Sequence, residues 1–329
     1  MATADRRRVT VADGSGRTSD VMEQMTDRGS GPLASAVRDR REPPAPRGPE
    51  ERVTMTEARW PDSRRVRTAR PAPGTPCWVS LMAHDLTATQ EFYAQLFGWT
   101  YRPGPQQLGP YVRAFLGECE VAGIGELPAD RRLPIAWTPY LASDDAGETA
   151  EMARHCGGTV GVGPLDAAEA GRMAIASDPA GAVFGIWQPA EHLGTAVAGV
   201  PGAPAWNELV TRETGEVAKF YRTLFGYTEE ASGGPDADFL TFFLEGRAVA
   251  SVQGVGNALP RDRGAYWMTY FETADVDAAA ARVVGLGGRV VRPARESAYG
   301  RIATVADREG AVFTLVHSER SCQEPAATV

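Results

Sequence analysis

Lysine is almost missing from these 329 residues: Lys219 is the only one, so arginine supplies nearly all of the positive charge. That is a compositional bias, and no function is attached to it. Cysteine is scarce too. Cys77, Cys119, Cys156 and Cys322 show no CxxC or finger-like spacing, which excludes a zinc ribbon or a dithiol redox motif and reads as reduced thiols in a cytosolic protein. No window approaches ~18 uninterrupted apolar residues, so no transmembrane helix is expected. The N-terminus is charged without an apolar core, unlike a secretory signal, and the expected location is the cytoplasm. No GxGxxG precedes a helix, which leaves nicotinamide or flavin binding by a Rossmann unit unsupported.

A basic face is also missing. The formal net charge is −8, while residues 1–74 carry 15 Arg against 11 Asp and Glu, so the rest of the chain is acidic. An acidic body argues against nucleic-acid binding. The Arg6-Arg7-Arg8 run has acidic residues nearby and reads as part of a solvated tail. The 43% hydrophobic content is ordinary for a globular protein.

A repeat is what the chain does have, and repeats are settled first. Trp78–Trp99, WVSLMAHDLTATQEFYAQLFGW, aligns without a gap to Trp206–Tyr227, WNELVTRETGEVAKFYRTLFGY; Trp78 to Trp206 and Tyr93 to Tyr221 are both 128 apart. Each copy reads as a short strand, a turn and an amphipathic helix. Phe92, Tyr93, Leu96 and Phe97, and in the second copy Phe220, Tyr221, Leu224 and Phe225, fall on one helical face. Gly98 and Gly226 follow, where a left-handed cap is expected. A second signature also occurs twice: Asp178-Pro179-Ala180-Gly181-Ala182-Val183-Phe184 and Asp307-Arg308-Glu309-Gly310-Ala311-Val312-Phe313.

A strand, then a helix ending FYxxLFG-W/Y, then a closing DPxG-type turn before a last strand resembles the vicinal oxygen chelate superfamily, which includes glyoxalase I, extradiol dioxygenases and bleomycin-resistance proteins. The resemblance covers about residues 75–318. It implies an α+β fold of tandem domains, each built of two βαβββ modules forming a curved-sheet cup that holds the site. It says little of function, because one fold hosts many chemistries.

The expected organisation is an extension without periodicity at 1–74, a first domain at 75–189, a Gly/Ala/Pro linker at 190–203, a second domain at 204–318 and a tail at 319–329. The extension is too rich in Arg, Pro, Gly and Ser to offset its ordering entropy and is read as disordered; Met55 is an alternative start. Tyr111–Leu116 and Val121–Glu126 read as a hairpin and Leu133–Ala142 as the next strand. A helix capped by Asp144 and Asp145 then runs to about Cys156. The remaining strands of the first domain lie near Thr159, Met173–Ser177 and Ala182–Gln188. In the second domain, strands are expected near Ala205–Thr211, Asp238–Leu244, Ala248–Gln253, Tyr266–Glu272, Arg301–Ala306 and Ala311–His317, with a helix near Val276–Val284.

Family enzymes hold a divalent ion through His, Glu or Gln on the first, fifth and last strands of a domain, where a chelating substrate needs a Lewis acid with open positions. Carried over by position, those places hold Trp78, Thr138 and Gly185 in the first domain and Trp206, Met268 and Thr314 in the second. A one-residue slip on the fifth strands brings in Trp137, Pro139, Trp267 or Thr269, which do not chelate either. His84, His155, His192 and His317 are scattered over a turn, a helix end, the linker and a strand end, and read as surface or terminus-associated. The expectation is no metal and no other cofactor.

Strand alternation then lines the cups with Trp78, Ser80, Met82, Thr138, Tyr140 and Trp187, and with Trp206, Glu208, Val210, Met268, Tyr270, Thr314 and Val316. An aromatic cup with few polar groups suits a largely apolar ligand, aromatic or polycyclic. Glu208 is the ionisable member. It is expected either to meet an Arg or to await a donor on the ligand, and cup one is expected to lack a charged anchor, which favours cup two. The leading reading is a metal-free binding protein for a small molecule, as monomer or homodimer, without nucleic acid or membrane. The alternative is a metal-independent isomerase, cyclase or hydroxylase-like enzyme with Glu208 as catalytic base. A structural role with vestigial cups, with Trp78 and Trp206 as plugs, is the third.

Overall fold

The computed structural model describes residues 69–106, 109–128, 135–231, 238–260 and 263–318. The extension up to residue 68, with Arg6–Arg8 and Met55, the tail from 319, Cys322 and the expected strand start at Leu133 lie outside the described residues. Among the described residues, no helix is long and apolar enough to cross a membrane.

Two sheets of eight strands carry the fold, each with the two βαβββ modules side by side. The first contains β1 (Pro76–Ala83), α1 (Leu86–Phe97), β2 (Thr100–Pro103), β3 (Tyr111–Leu116) and β4 (Cys119–Glu126), then β5 (Trp137–Ala142), α2 (Ala146–His155), β6 (Thr159–Asp166), β7 (Gly171–Ser177) and β8 (Val183–Pro189). The second repeats the order with β9 (Pro204–Thr211), α3 (Thr214–Phe225), β10 (Thr228–Ala231), β11 (Phe239–Leu244) and β12 (Arg247–Gly254), then β13 (Tyr266–Glu272), α4 (Val276–Gly285), β14 (Arg289–Ser297), β15 (Gly300–Ala306) and β16 (Val312–His317). The strand orders are β2-β3-β4-β1-β5-β8-β7-β6 and β10-β11-β12-β9-β13-β16-β15-β14, so the modules join through the antiparallel pairs β1–β5 and β9–β13.

The helix ends follow local chemistry. Asp85 precedes α1 and its side chain accepts from the Ala88 N–H, while Gly98 closes the helix in the left-handed region at φ 75°. Gly226 closes α3 at φ 72°. Three strands escaped the pattern reading: β2, β10 and β14. All are edge strands, and their side chains are almost wholly exposed. A strand with no buried face carries no apolar alternation to read.

The central strands of each sheet are buried on both faces. One face lines its cup. The other packs on helices, and the helical layer is shared between the domains. Val79, Leu81, Phe92, Tyr93, Leu96 and Trp137 form one core with Phe271, Val276, Val283, Val305, Phe313 and Leu315. Leu141, Ala150, Phe184 and Ile186 form the other with Leu209, Val217, Phe220, Tyr221, Phe242 and Trp267. The first module of one domain thus shares its core with the second module of the other.

Both repeated signatures meet at this boundary. The Tyr93 hydroxyl donates to Asp307 Oδ2 at 2.9 Å, and Tyr221 to Asp178 Oδ2 at 3.2 Å. Trp137 Nε1 and Trp267 Nε1 donate to the same two hydroxyls, at 3.0 and 3.1 Å. Glu309 accepts from the N–H groups of His84 and Asp85 at 2.7 Å each, across the boundary, where a carboxylate favours the helix N-terminus.

Gly185 lies under the Tyr140 ring. A Cβ there would come within 2.1 Å of Tyr140 Cδ1, in a well-filled cup. Gly185→Ala should therefore cost about 1–3 kcal/mol by overpacking, read as a lower urea midpoint. Gly161→Ala, on β6 where nothing lies within 4 Å, is the control; equal midpoints for the two variants would show that Tyr140 can move aside.

Candidate functional site

Cup two is set by register. Trp206 pairs with Tyr270 and Glu208 with Met268 across β9–β13; Tyr270 pairs with Thr314 across β13–β16, and Glu208 with Ser251 across β9–β12. Trp206, Met268, Tyr270 and Val316 thereby share one cluster, completed by Tyr299, Ile302 and Ala248. Thr314 is buried beside them, its hydroxyl 3.4 Å from that of Thr304. Phe239, Phe243 and Tyr266 are half-buried against this cluster.

Glu208 sits at the centre, 6% exposed. Its carboxylate accepts from the hydroxyls of Tyr270 at 3.1 Å, Tyr299 at 3.3 Å and Ser251 at 3.4 Å. The expected choice between an arginine and a ligand donor is thus corrected: hydroxyls of its own domain take three of its roughly four acceptor sites and leave one for a ligand. Ser251 also accepts from Trp206 Nε1 at 2.9 Å and lies 3.0 Å from the Tyr299 hydroxyl, whose one hydrogen is shared between Ser251 and Glu208, and is the hub of the network. Burial raises the Glu208 carboxyl above its ordinary range, against the hydroxyl bonds and the charge of Arg295, which lower it. Burial and the neighbouring Glu208 charge push both Tyr270 and Tyr299 up, so they remain hydroxyl donors.

Cup one is built differently. Trp78, Tyr140 and Trp187 converge with Cys77, Ala142 and Ala167. Ser80 pairs with Thr138, which is half-buried, and Met82 reaches the rim at 37% exposure. Tyr111 lies across the strand carrying Gly123, whose Cβ would meet the phenol oxygen at 1.7 Å. Its hydroxyl takes the Trp78 Nε1 hydrogen at 3.0 Å and lies 3.2 Å from Ser80 Oγ.

The expectation that cup one lacks a charged anchor is overturned. Arg113 on β3 donates from Nη1 to Glu120 Oε1 on β4 at 2.6 Å, and His192 Nδ1 lies 2.6 Å from Glu120 Oε2. The reading of His192 as a surface residue is corrected with it: the side chain is buried, edge-on to Trp78 at 4.4 Å and to Trp187 at 5.5 Å. Burial pushes the Glu120 carboxyl up, but the close contact with His192 and the charges of Arg113 and Arg102 outweigh it and hold it below the ordinary value. The other histidines stay near surfaces and chain ends: His84 and His155 are exposed, and His317 Nδ1 lies 2.9 Å from the Thr273 carbonyl.

Sequence reasoning missed Tyr111, Arg113, Glu120, His192, Ser251 and Tyr299. It assigned faces only to the first, fifth and last strands, whereas Tyr111, Arg113, Glu120 and Ser251 stand on the third and fourth strands of their modules. Parallel pairing of the first and fourth strands would have placed Ser251 beside Glu208. Tyr299 follows the unseen strand β14, and the linker carried no signal that it folds back.

The family's ion does not fit these residues. Its places are filled by an indole, a hydroxyl and a glycine in cup one, and by an indole, a thioether and a hydroxyl in cup two. Among the described residues, no three His, Cys, Asp or Glu side chains converge as a metal-binding group.

Comparison with known proteins agrees with this architecture. The family model described as a glyoxalase-like domain matches residues 208–316. A Mycobacterium tuberculosis protein named as a glyoxylase, CFP32, is 34% identical over 254 residues, covering 74% of this chain and 94% of the relative. The anthracycline biosynthesis protein DnrV of Streptomyces peucetius is 33% identical over 264 residues, with the same coverage of 74% and 94%. Among solved structures, the 2,3-dioxygenase LapB from Pseudomonas sp. KL28 superposes with a TM-score of 0.53 at 14% identity, covering 78% of this chain and 98% of that one. The Mn(II)-bound glyoxalase from Novosphingobium aromaticivorans gives 0.50 at 15% identity, covering 74% and 82%; both likenesses concern the fold alone. With two βαβββ sheets, both signatures in duplicate and a relative matched over nearly its full length, the chain belongs to the glyoxalase-like proteins of the vicinal oxygen chelate superfamily.

Proposed function

We infer that this protein binds a largely apolar, aromatic or polycyclic small molecule in cup two without the help of a metal ion. The observation that carries the reading is the buried Glu208 with its three hydroxyl donors inside an aromatic wall. Such a network orients one polar end of a ligand, while half-buried Phe239, Phe243 and Tyr266 offer ring faces for the rest. The donor set at the family's ion positions supports binding without a metal. The name of one relative places that relative in anthracycline biosynthesis; anthracyclines are polycyclic aromatics, the class this wall suits, so a role in secondary metabolism or resistance is part of the proposal.

The raised Glu208 carboxyl favours a second reading, a metal-independent enzyme. A carboxylate held in low dielectric is a stronger base than one in water, and the tyrosine hydroxyls would steady the enolate or alkoxide formed when it removes a proton.

Titration of the purified protein with 1,4-dihydroxyanthraquinone, followed by quenching of tryptophan emission, tests both readings. Saturable quenching without product supports binding, and product formation lost in Glu208→Gln supports the enzyme. In that variant affinity should fall about tenfold to a hundredfold, the range for a hydrogen bond to a charged group. Stoichiometric metal on the purified protein, with binding abolished by a chelator, would sink the metal-free reading.

A further inference from the structure

Past β8 the chain does not leave the first domain; it turns back over cup one. The N–H groups of Ala190 and His192 donate to the Ala170 carbonyl at 3.0 and 3.2 Å, and that of Glu191 to the Glu169 carbonyl at 3.0 Å. Two residues beyond the His192–Leu193 step, Thr195 N–H reaches the Cys77 carbonyl at 2.6 Å and Ala196 N–H the Glu120 carbonyl at 2.8 Å. The strap thus runs from the β6–β7 turn to β1 and β4, and Trp187 Nε1 holds its middle by donating to the His192 carbonyl at 2.9 Å.

Against this strap, on the cup-one side of Arg113 and Glu120, lies a cavity of about 500 Å³ between the end of β2 and the β6–β7 turn, within the size range of small-molecule sites. Pro103, Pro105, Ala167, Ala168 and Ala170 give it apolar walls, and Arg113, Glu120, Glu169, Glu191 and His192 its polar ones. Nothing in cup two corresponds to this set: 128 positions on, Arg113 and Glu120 become Thr241 and Ala248.

His192 is 9% exposed and lines the cavity. Glu120, which also pairs with Arg113, stands against the ring with Oε2 2.6 Å from Nδ1, off the axis of a hydrogen bond. A neutral imidazole whose Nδ1 faces a carboxylate this closely keeps its hydrogen on Nδ1, since two lone pairs would repel, and so presents Nε2 as an acceptor. Two further carboxylates, Glu169 and Glu191, stand exposed at the rim, so three glutamates face one arginine and the histidine. That balance repels anions and attracts cations.

We propose that this cavity is a second small-molecule site, in which His192, oriented by Glu120, accepts a hydroxyl hydrogen from an uncharged or cationic organic ligand. The linker supplies the recognising side chain, so the site exists only where the two domains are joined in this way. Arg113 is a positioning residue: it acts on the ligand through Glu120.

The test uses three probes on the full-length protein, read by the ring ¹⁵N signals of its four histidines. Tyramine carries a phenol and an ammonium, 4-methoxyphenethylamine lacks the hydroxyl hydrogen, and 4-hydroxyphenylacetate replaces the cation by an anion. Tyramine should shift the His192 Nε2 signal saturably, at least tenfold more tightly than either of the others, and Glu120→Gln should weaken it by tenfold or more. Equal responses to tyramine and its methyl ether, tighter binding of the anion, or an unmoved His192 signal at millimolar tyramine would overturn the proposal. The wild-type titration decides by itself if Glu120→Gln does not fold.

Discussion

A polypeptide ending at Pro189 should not fold, and neither should one beginning at Pro204. Each would carry a complete eight-stranded sheet, which is the usual criterion for an autonomous unit. The cores, however, are not divided that way. Without its partner, the first half would expose Phe92, Tyr93, Leu96, Phe184 and Ile186, and the second Phe220, Tyr221, Phe271, Phe313 and Leu315, all now buried. Exposing one such side chain costs about 1.5–3 kcal/mol, so five cost about 7.5–15 kcal/mol, as much as the ~5–15 kcal/mol that stabilises an entire domain. Separately expressed halves should show no cooperative melt and should aggregate, while co-expression should restore one transition. Either half melting alone near the temperature of the whole chain would refute the shared-core description.

The second large effect lies at the paired aspartates. Asp178→Ala removes the acceptor of both the Tyr221 hydroxyl and the Ala182 N–H. Each donor left buried without a partner costs about 1–3 kcal/mol, so a loss of about 2–6 kcal/mol is expected. Asp307→Ala, which strands Tyr93 and the Ala311 N–H, should cost a similar amount. The two sites lie in separate cores, so the losses should add, and the double variant should approach complete unfolding. Chemical denaturation at fixed pH measures all three; a double variant no less stable than either single one would show that the boundary does not depend on these contacts.

Asp178 also sets a direction for pH. Burial, opposed by its hydrogen bonds, raises its carboxyl from 3.8 to about 6 in the folded state. Protonation therefore favours the fold: the contribution is complete below the unfolded value and is lost as pH rises through about 6. Between pH 7 and pH 5 stability should increase by about 1 kcal/mol from this residue. Asp307, Glu208 and Glu272 are raised as well, each chiefly by burial, and act in the same sense. Asp178→Asn should flatten the profile over this interval. Stability that falls steadily on acidification from pH 7, equally in both proteins, would contradict the assignment.

The fold was legible because its repeated parts are buried on fixed faces. The FYxxLFG helices and the Asp turns mark where α1 and α3 lie and where β8 and β16 begin. They are legible for a reason the sequence conceals: Tyr93 and Asp307, or Tyr221 and Asp178, are the two ends of one contact, 214 and 43 residues apart. Alternation found Trp206, Glu208, Met268 and Tyr270, and with them the floor of cup two. It could not find Tyr299, which follows an edge strand with no buried face, nor His192, whose burial depends on where a Gly/Ala/Pro linker turns. The Glu120–His192 contact joins residues 72 apart, and neither belongs to a repeated motif.

The crossed tyrosine–aspartate contacts have the form of an isologous interface, in which a residue i meets j and j meets i about a two-fold axis. That is the contact pattern of a symmetric homodimer, here written into one polypeptide. Tethering replaces an encounter between two molecules with a closure inside one, so the pairing of the halves no longer depends on protein concentration. It also frees the halves from being identical. A homodimer must carry every substitution in both cups at once. A fused chain can keep the interface matched while its two outward faces diverge, one toward a carboxylate ringed by hydroxyls and the other toward an imidazole carried in by the tether itself.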